Sequence, residues 1–226
     1  MTRVKKIGVV LSGCGVYDGS EIHEAVLTLL ALSRAGAEAV CMAPNIKQHH
    51  VVNHLTGEES HGEFRNVLTE AARIARGKIS DVASVKSGEI DGLIFPGGFG
   101  AAKNLCDYAF NGPNCTVNGD VARLAREVHA TGKPIGVICI APVLAAKMFG
   151  SEHPQLTIGN DRAVAKDVET LGAQHMVCSA TEFVVDRERK LVSTPAYMLG
   201  QNVAEVAEGI DKLVRILLDM TTNCDS

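Results

Sequence analysis

The sequence predicts an α/β fold, a doubly wound sandwich with a mostly parallel central sheet and helices on both faces. Three observations predict it. Short continuous apolar runs recur along the chain, as strands covered on both faces require. They alternate with longer stretches whose apolar residues repeat at helical spacing. Gly and Pro separate the two kinds of segment.

Lys6 to Leu11 is an apolar run ended by Ser12-Gly13 and reads as the first strand. Asp18 to Ala35 reads as a helix with apolar residues at Ile22, Val26, Leu29, Leu30 and Leu32. Asp18 or Ser20 is placed to cap it, and Gly36 stops it. Glu38 to Ala43 is a second strand, closed by Pro44-Asn45. Residues 45–64 are polar and His-rich and read as an excursion loop. Val67 to Arg76 is a helix ended by Gly77. Leu93 to Phe95 is a strand running into Pro96-Gly97-Gly98. Val121 to Ala130 is a helix ended by Gly132. Pro134 to Ile138 is a strand and Pro142 to Phe149 a helix. Arg162 to Leu171 is a helix ended by Gly172. Short strands are expected near His175–Cys178, Phe183–Asp186 and Lys190–Ser193, and Val203 to Met220 is a long amphipathic helix. No internal repeat or linker interrupts the pattern, so one domain over residues 1–226 is expected.

Composition narrows the function. A chain of 226 residues can bury a sizeable core without covalent staples. With 46% apolar and 21% charged residues it is not a disordered segment. A net charge of −4 offers no basic footprint for nucleic acid or an anionic membrane. Trp is absent, so base-stacking platforms are not expected. Seven cysteines without a CxxC pair favour free thiols in a reducing compartment over a disulfide framework or zinc site. No stretch reaches the ~18 apolar residues of a membrane span. The Met1–Cys14 segment resembles a lipoprotein cleavage box, but Ile7–Leu11 is shorter than the roughly 7–15 residues of a signal-peptide core. It is read as a strand, and the location expected is cytoplasmic.

In open α/β sheets ligands bind outside the carboxyl ends of the strands. That rule points to Ser12–Gly15, Pro96–Gly98, Cys139–Ala141 and Thr194–Tyr197. At Cys139 a strand ends and a helix begins almost at once, with Pro142 suited to the first helical position. Two readings stand. In one, the short turn presents Cys139 above the sheet as a nucleophile elbow, where the helix N-terminus favours thiolate. In the other, Cys139 is a buried structural cysteine. Gly97 and Gly98 belong either to an ordinary βα turn or to a loop whose N–H groups face a developing oxyanion. In the latter the Gly98 N–H and the Ile140 N–H are the candidate donors. With Asp18 as cap, Glu21 takes the capping-box position. Glu24 is then a solvated helix residue or a proton carrier beside the thiol.

These segments resemble a family. Val10-Leu-Ser-Gly-Cys-Gly-Val-Tyr-Asp-Gly-Ser-Glu-Ile-His-Glu-Ala is similar to the signature of the ElbB-type glyoxalase branch of the ThiJ/PfpI superfamily, which is class I glutamine amidotransferase-like. So are Glu63-Phe-Arg-Asn-Val-Leu-Thr-Glu-Ala-Ala-Arg-Ile-Ala-Arg-Gly, Phe95-Pro-Gly-Gly-Phe-Gly-Ala-Ala-Lys-Asn-Leu, Cys139-Ile-Ala-Pro and Thr194-Pro-Ala-Tyr-Met. The resemblance covers essentially the whole chain. It implies a flavodoxin-like sandwich, Cys139 as nucleophile, Glu24 as general acid/base and a homodimer. The implied activity is a glyoxalase independent of cofactors, glutathione and metal, turning glyoxal into glycolate (and methylglyoxal into lactate). Two departures matter. Ile140 stands where peptidase members have His after the cysteine, and no His follows His175, so an amidotransferase His-x-Glu pair is missing. Two alternatives remain: a non-catalytic redox or stress sensor using Cys139, and a protein deglycase or amidohydrolase.

Other signals compete. His49, His50, His54 and His61 with Glu58 and Glu59 form either a solvated loop or a zinc-type cluster, and the irregular spacing favours the loop. His23 is a candidate for orienting substrate. Gly13-x-Gly15-x-x-x-Gly19 departs from the dinucleotide fingerprint, and no acidic residue ends the second strand. Cys14 is expected at a strand end, near Cys139, or simply packed. The partner expected is a small α-oxoaldehyde, with no nucleic acid and no membrane.

Overall fold

The structure is a computed structural model, and it describes residues 3–221. Cys224 lies outside them. In chain order the elements are β1 (Lys6–Val10), α1 (Ile22–Arg34), β2 (Glu38–Ala43), β3 (Val52–Asn53), β4 (Glu58–Glu59), α2 (Val67–Ile74), β5 (Ser80–Asp81), β6 (Gly92–Phe95) and α3 (Tyr108–Asn111). Then come α4 (Gly119–Ala130), β7 (Ile135–Ile138), α5 (Pro142–Phe149), β8 (Gln155–Leu156), α6 (Arg162–Thr170), β9 (Gln174–His175), β10 (Val184–Asp186), β11 (Leu191–Thr194) and α7 (Val203–Thr221). Seven strands form the main sheet in the order β10-β11-β7-β6-β1-β2-β5. Every pairing in it is parallel except β10 with β11.

The apolar strand runs behave as expected of strands covered on both sides. β6, β7 and β11 are buried at every position. One face of the sheet packs on α4, α5 and α6 through residues such as Leu124, Leu144 and Val168. The other packs on α1, α2 and α7 through Leu32, Val67 and Leu213. The predicted seam of α7 is core: Val206, Ile210, Leu213, Val214 and Leu217 are all fully buried.

Four local expectations change. α1 begins at Ile22, and its cap is Glu21, whose carboxylate accepts the Glu24 N–H at 2.7 Å. Asp18 is not the cap; its carboxylate accepts the Val52 N–H at 2.7 Å and so anchors the excursion loop. The apolar stripe of α1 is also turned. Ile22, Val26 and Leu30 are exposed, whereas Glu24, Ala25, Thr28, Ala31 and Leu32 are buried. Of the predicted stripe Leu32 is core and Leu29 packs against it, while Ile22, Val26 and Leu30 give their place on the inner face to Ala25, Thr28 and Glu24. Residues 45–64 are not simply solvated: they form the β3–β4 hairpin, with Gln48, Val51 and Val52 buried. Finally, β5, β8, α3 and a π-helical turn over Ala101–Leu105 lack the length to show as periodicity, and none is foreseen from the sequence.

Candidate active site

The carboxyl ends of β1, β6, β7 and β11 meet at one place, and Cys139 stands at its centre. Its N–H donates to Thr194 O of β11 at 3.0 Å, which extends the ladder by one residue. Its φ is then +62°, in the left-handed region that non-glycine residues avoid. The chain reverses there, Ala141 N–H donates to Ile138 O, and α5 starts at Pro142. This is the strained strand-to-helix turn of a nucleophile elbow, and surrounding contacts hold it. The N–H groups of Gly98 and Ile140 both donate to the Cys139 sulfur. The two backbone donors expected from the sequence therefore converge on one point.

Glu24 reaches the same point from α1. It is fully buried. Its Oε2 accepts the Gly97 N–H at 2.9 Å, its Oε1 accepts the Tyr197 N–H at 3.2 Å, and the Cys139 thiol donates to the carboxylate. Gly97 makes this contact possible. A Cβ there would lie 2.4 Å from Cys139 Cβ and 2.6 Å from Glu24 Oε2. Gly98, at φ +92°, lets the loop pass against the start of α1, where a Cβ would lie 2.3 Å from Glu21 N.

The electrostatics correct one expectation. Burial, then the charge of nearby Glu21, pushes the Glu24 carboxyl up to about 8. Burial, then the charge of Glu24, pushes the Cys139 thiol well up. The helix N-terminus and the two N–H donors do not offset that desolvation, so the resting sulfur is a thiol and not the thiolate the helix dipole suggested. The first proton lost leaves its charge on Glu24.

Cys139 opens onto a cavity of about 370 Å³. Phe99, Tyr108, Ile140, Val164 and Met198 supply most of its wall, and Glu21 and Asp161 are the charged residues among its lining. Tyr197 was not singled out from the sequence. Its N–H holds Glu24, its ring lines the cavity, and its hydroxyl pairs with His23 Nδ1 at 2.7 Å. The Thr194–Tyr197 strand end was the available signal. His23 thus reaches the cavity rim through Tyr197. Cys14 does not join Cys139: the charges it faces belong to Glu70, Arg73, Asp18 and Arg65, and burial pushes its thiol up. Among the described residues no three His, Cys, Asp or Glu side chains converge as metal ligands. His54 instead accepts the Tyr17 N–H, and His49 stacks on Phe110.

No family model matches the chain. A human protein, glutamine amidotransferase-like class 1 domain-containing protein 3, mitochondrial, is 48% identical over 225 residues, covering 96% of this chain and 83% of its own. The chain belongs to its family. In this ES1 family the zebrafish ES1 protein, mitochondrial, is 34% identical over 95% of the chain. The structure of an Ehrlichia chaffeensis isoprenoid biosynthesis protein with an amidotransferase-like domain is similar at a TM-score of 0.87 and 35% identity, over 95% of this chain and 99% of that one. A Candida albicans glyoxalase III shares the fold at a TM-score of 0.60 and 13% identity. The class I glutamine amidotransferase-like part of the resemblance thus holds, and the α/β fold with it, while the relatives named here carry the ES1 name and not that of the ElbB branch. The cytoplasmic expectation is overturned, because these ES1 relatives are named mitochondrial proteins.

Proposed function

We propose that this ES1-family chain is a cofactor-independent glyoxalase that converts glyoxal, and methylglyoxal, to the hydroxy acid. One observation carries the reading: a buried carboxyl, Glu24, that takes up its proton near neutral pH and is hydrogen-bonded to the buried thiol of Cys139. General acid–base catalysis works best when the group's proton affinity lies near the working pH.

The chemistry needs little else. The carboxylate form of Glu24 is within reach near neutral pH because the group titrates at about 8. In that form Glu24 accepts the thiol proton as the Cys139 sulfur adds to one aldehyde carbon and passes it to the aldehyde oxygen, giving a hemithioacetal and freeing the carboxylate again. The Gly98 and Ile140 N–H groups, already aimed at the sulfur, are positioned to hold the oxyanion. Glu24 then carries a proton from the sulfur-bearing carbon to its neighbour through an enediol, which oxidises the first carbon and reduces the second. Water hydrolyses the resulting thioester to glycolate and restores the thiol. The cavity supports an uncharged substrate: its lining includes two carboxylates and no cationic side chain. The same lining includes no histidine, which weighs against a peptidase or glutaminase triad. A peroxide-sensing role for Cys139 is disfavoured because burial holds its thiol protonated.

The homodimer is kept as a proposal. Ile22, Val26 and Leu30 leave a stripe on α1 that is 43%, 47% and 40% exposed, beside the site. Sedimentation of wild type against Val26→Glu tests it, and a wild-type monomer at micromolar concentration removes it.

The direct test follows glyoxal consumption and identifies glycolate for wild type, Cys139→Ser and Glu24→Gln. Activity in wild type alone supports the reading. A wild type inactive on both glyoxal and methylglyoxal overturns it.

A further inference from the structure

A second pair of thiols lies outside this site. Cys106 follows the π-helical turn of Ala101–Leu105, and Cys115 ends the loop after α3. Cys106 bridges Val117 in antiparallel fashion, and Asp107 N–H donates to Thr116 O. That register places Cys106 and Cys115 on the same face of a short two-strand ladder. Both are buried, 5% and 2% exposed; the Cys106 thiol donates to Ala101 O at 3.4 Å and also faces the Cys115 sulfur as a donor. Asp107 Oδ1 also accepts the Thr116 N–H at 2.6 Å, so the two segments are held together independently of the sulfurs.

We propose that Cys106 and Cys115 are a redox modification site, a dithiol that a hydroperoxide closes to a reversible disulfide. The two sulfurs are not equivalent. The hydrogen bond from Cys106, and then the Lys147 cation, lower the Cys115 thiol, whereas that same hydrogen bond, and then burial, raise Cys106. Lys147 is held there by a bond from its Nζ to Pro113 O at 3.5 Å. Cys115 is therefore the attacking sulfur and Cys106 the resolving one. The Cys115 thiolate attacks one peroxide oxygen, breaks the O–O bond and releases hydroxide, leaving a sulfenic acid. The Cys106 thiol displaces that oxygen as water and forms the S–S bond. One peroxide is reduced to two waters as two thiols lose two hydrogens. The ring so closed contains Tyr108 and Ala109, which line the cavity in front of Cys139.

The test treats the full chain with hydrogen peroxide, blocks free thiols with N-ethylmaleimide and maps tryptic peptides without reduction. Both cysteines fall on the peptide 104–123. The expected result is that this peptide loses two hydrogens, refuses the label and regains it after dithiothreitol, before Cys139 is oxidised. In Cys106→Ser, a sulfenic acid trapped by dimedone is expected on Cys115, and in Cys115→Ser none on Cys106. Full labelling of 104–123 under conditions that oxidise Cys14, Cys139 or Cys178 overturns the proposal, as does a link from either cysteine to any other. The wild-type map stands alone if either variant fails to fold.

Discussion

Two buried sulfur sites sit on loops of the same sheet, and they bind protons oppositely. At Cys139 the neighbour is a carboxylate that is itself buried, so both partners resist ionisation. At Cys115 the neighbours are a donating thiol and the Lys147 cation, so ionisation is eased. Burial alone therefore does not say what a cysteine does. The sign of the adjacent group does: a carboxylate suits a thiol that is deprotonated only while attacking a carbonyl, and a cation suits one that meets an oxidant as thiolate.

That contrast can be broken most forcefully at Glu24. Glu24→Gln is expected to lower kcat/KM for glyoxal by roughly 10²–10⁴, the usual share of a positioned acid/base, while Cys106→Ser leaves it unchanged. Equal rates in wild type and Glu24→Gln would erase the distinction between the two sites.

Stability against pH is the next largest effect. The Glu24 carboxyl is raised in the fold from 4.5 to about 8. A carboxyl raised by folding contributes stability that is fully present below its unfolded value and lost as pH rises through the folded one. Wild type is thus expected to lose, on the order of, 3–5 kcal/mol relative to Glu24→Gln between pH 4.5 and 8.5. Denaturant midpoints at several pH values read this, and a pH-independent gap would show that Glu24 is not held protonated.

Gly97→Ala sharpens the geometry. Its Cβ would overlap Cys139 Cβ and Glu24 Oε2, so a cost of about 1–3 kcal/mol is expected from overpacking, with slower iodoacetamide labelling at Cys139 and no change at Cys178. Unaltered labelling would mean that the pair need not touch. The smallest effect belongs to the dithiol. Asn118 caps α4, accepting the Asp120 and Val121 N–H groups, and its own N–H donates to Leu105 O. Asn118→Ala is expected to cost about 1 kcal/mol and to loosen the Cys115 segment, read as faster amide exchange at residues 115–117.

Alternating strands and helices, the sheet class and the α7 seam were legible in the sequence because apolar periodicity and Gly/Pro boundaries are local signals. The turn at Cys139 was legible because a strand runs almost directly into Pro142, while residue order alone left open whether its thiol is a nucleophile or a packed side chain. The inner face of α1 was not. Large apolar side chains at Ile22, Val26 and Leu30 outweighed Ala25 and Thr28 in hydropathy, although the helix turns Glu24, Ala25, Thr28 and Leu32 inward and leaves the first three exposed. Tyr197 was missed because it acts through its backbone N–H as well as its ring, and a backbone donor leaves no trace in residue type.

What the amino-acid order determined by itself is the α/β class, the abrupt strand-to-helix turn at Cys139 and the glycine-rich turn at Pro96–Gly98. What the tertiary structure decided is protonation. Whether Cys139 rests as thiol or thiolate depends on the balance between lost water and the charges facing it. The charge facing Cys139 comes from Glu24, which Glu21 faces in turn, and α1 brings both across from the N-terminal part of the chain. The same is true of Cys106 and Cys115, which become partners only because the Cys106–Val117 bridge puts their sulfurs on one face.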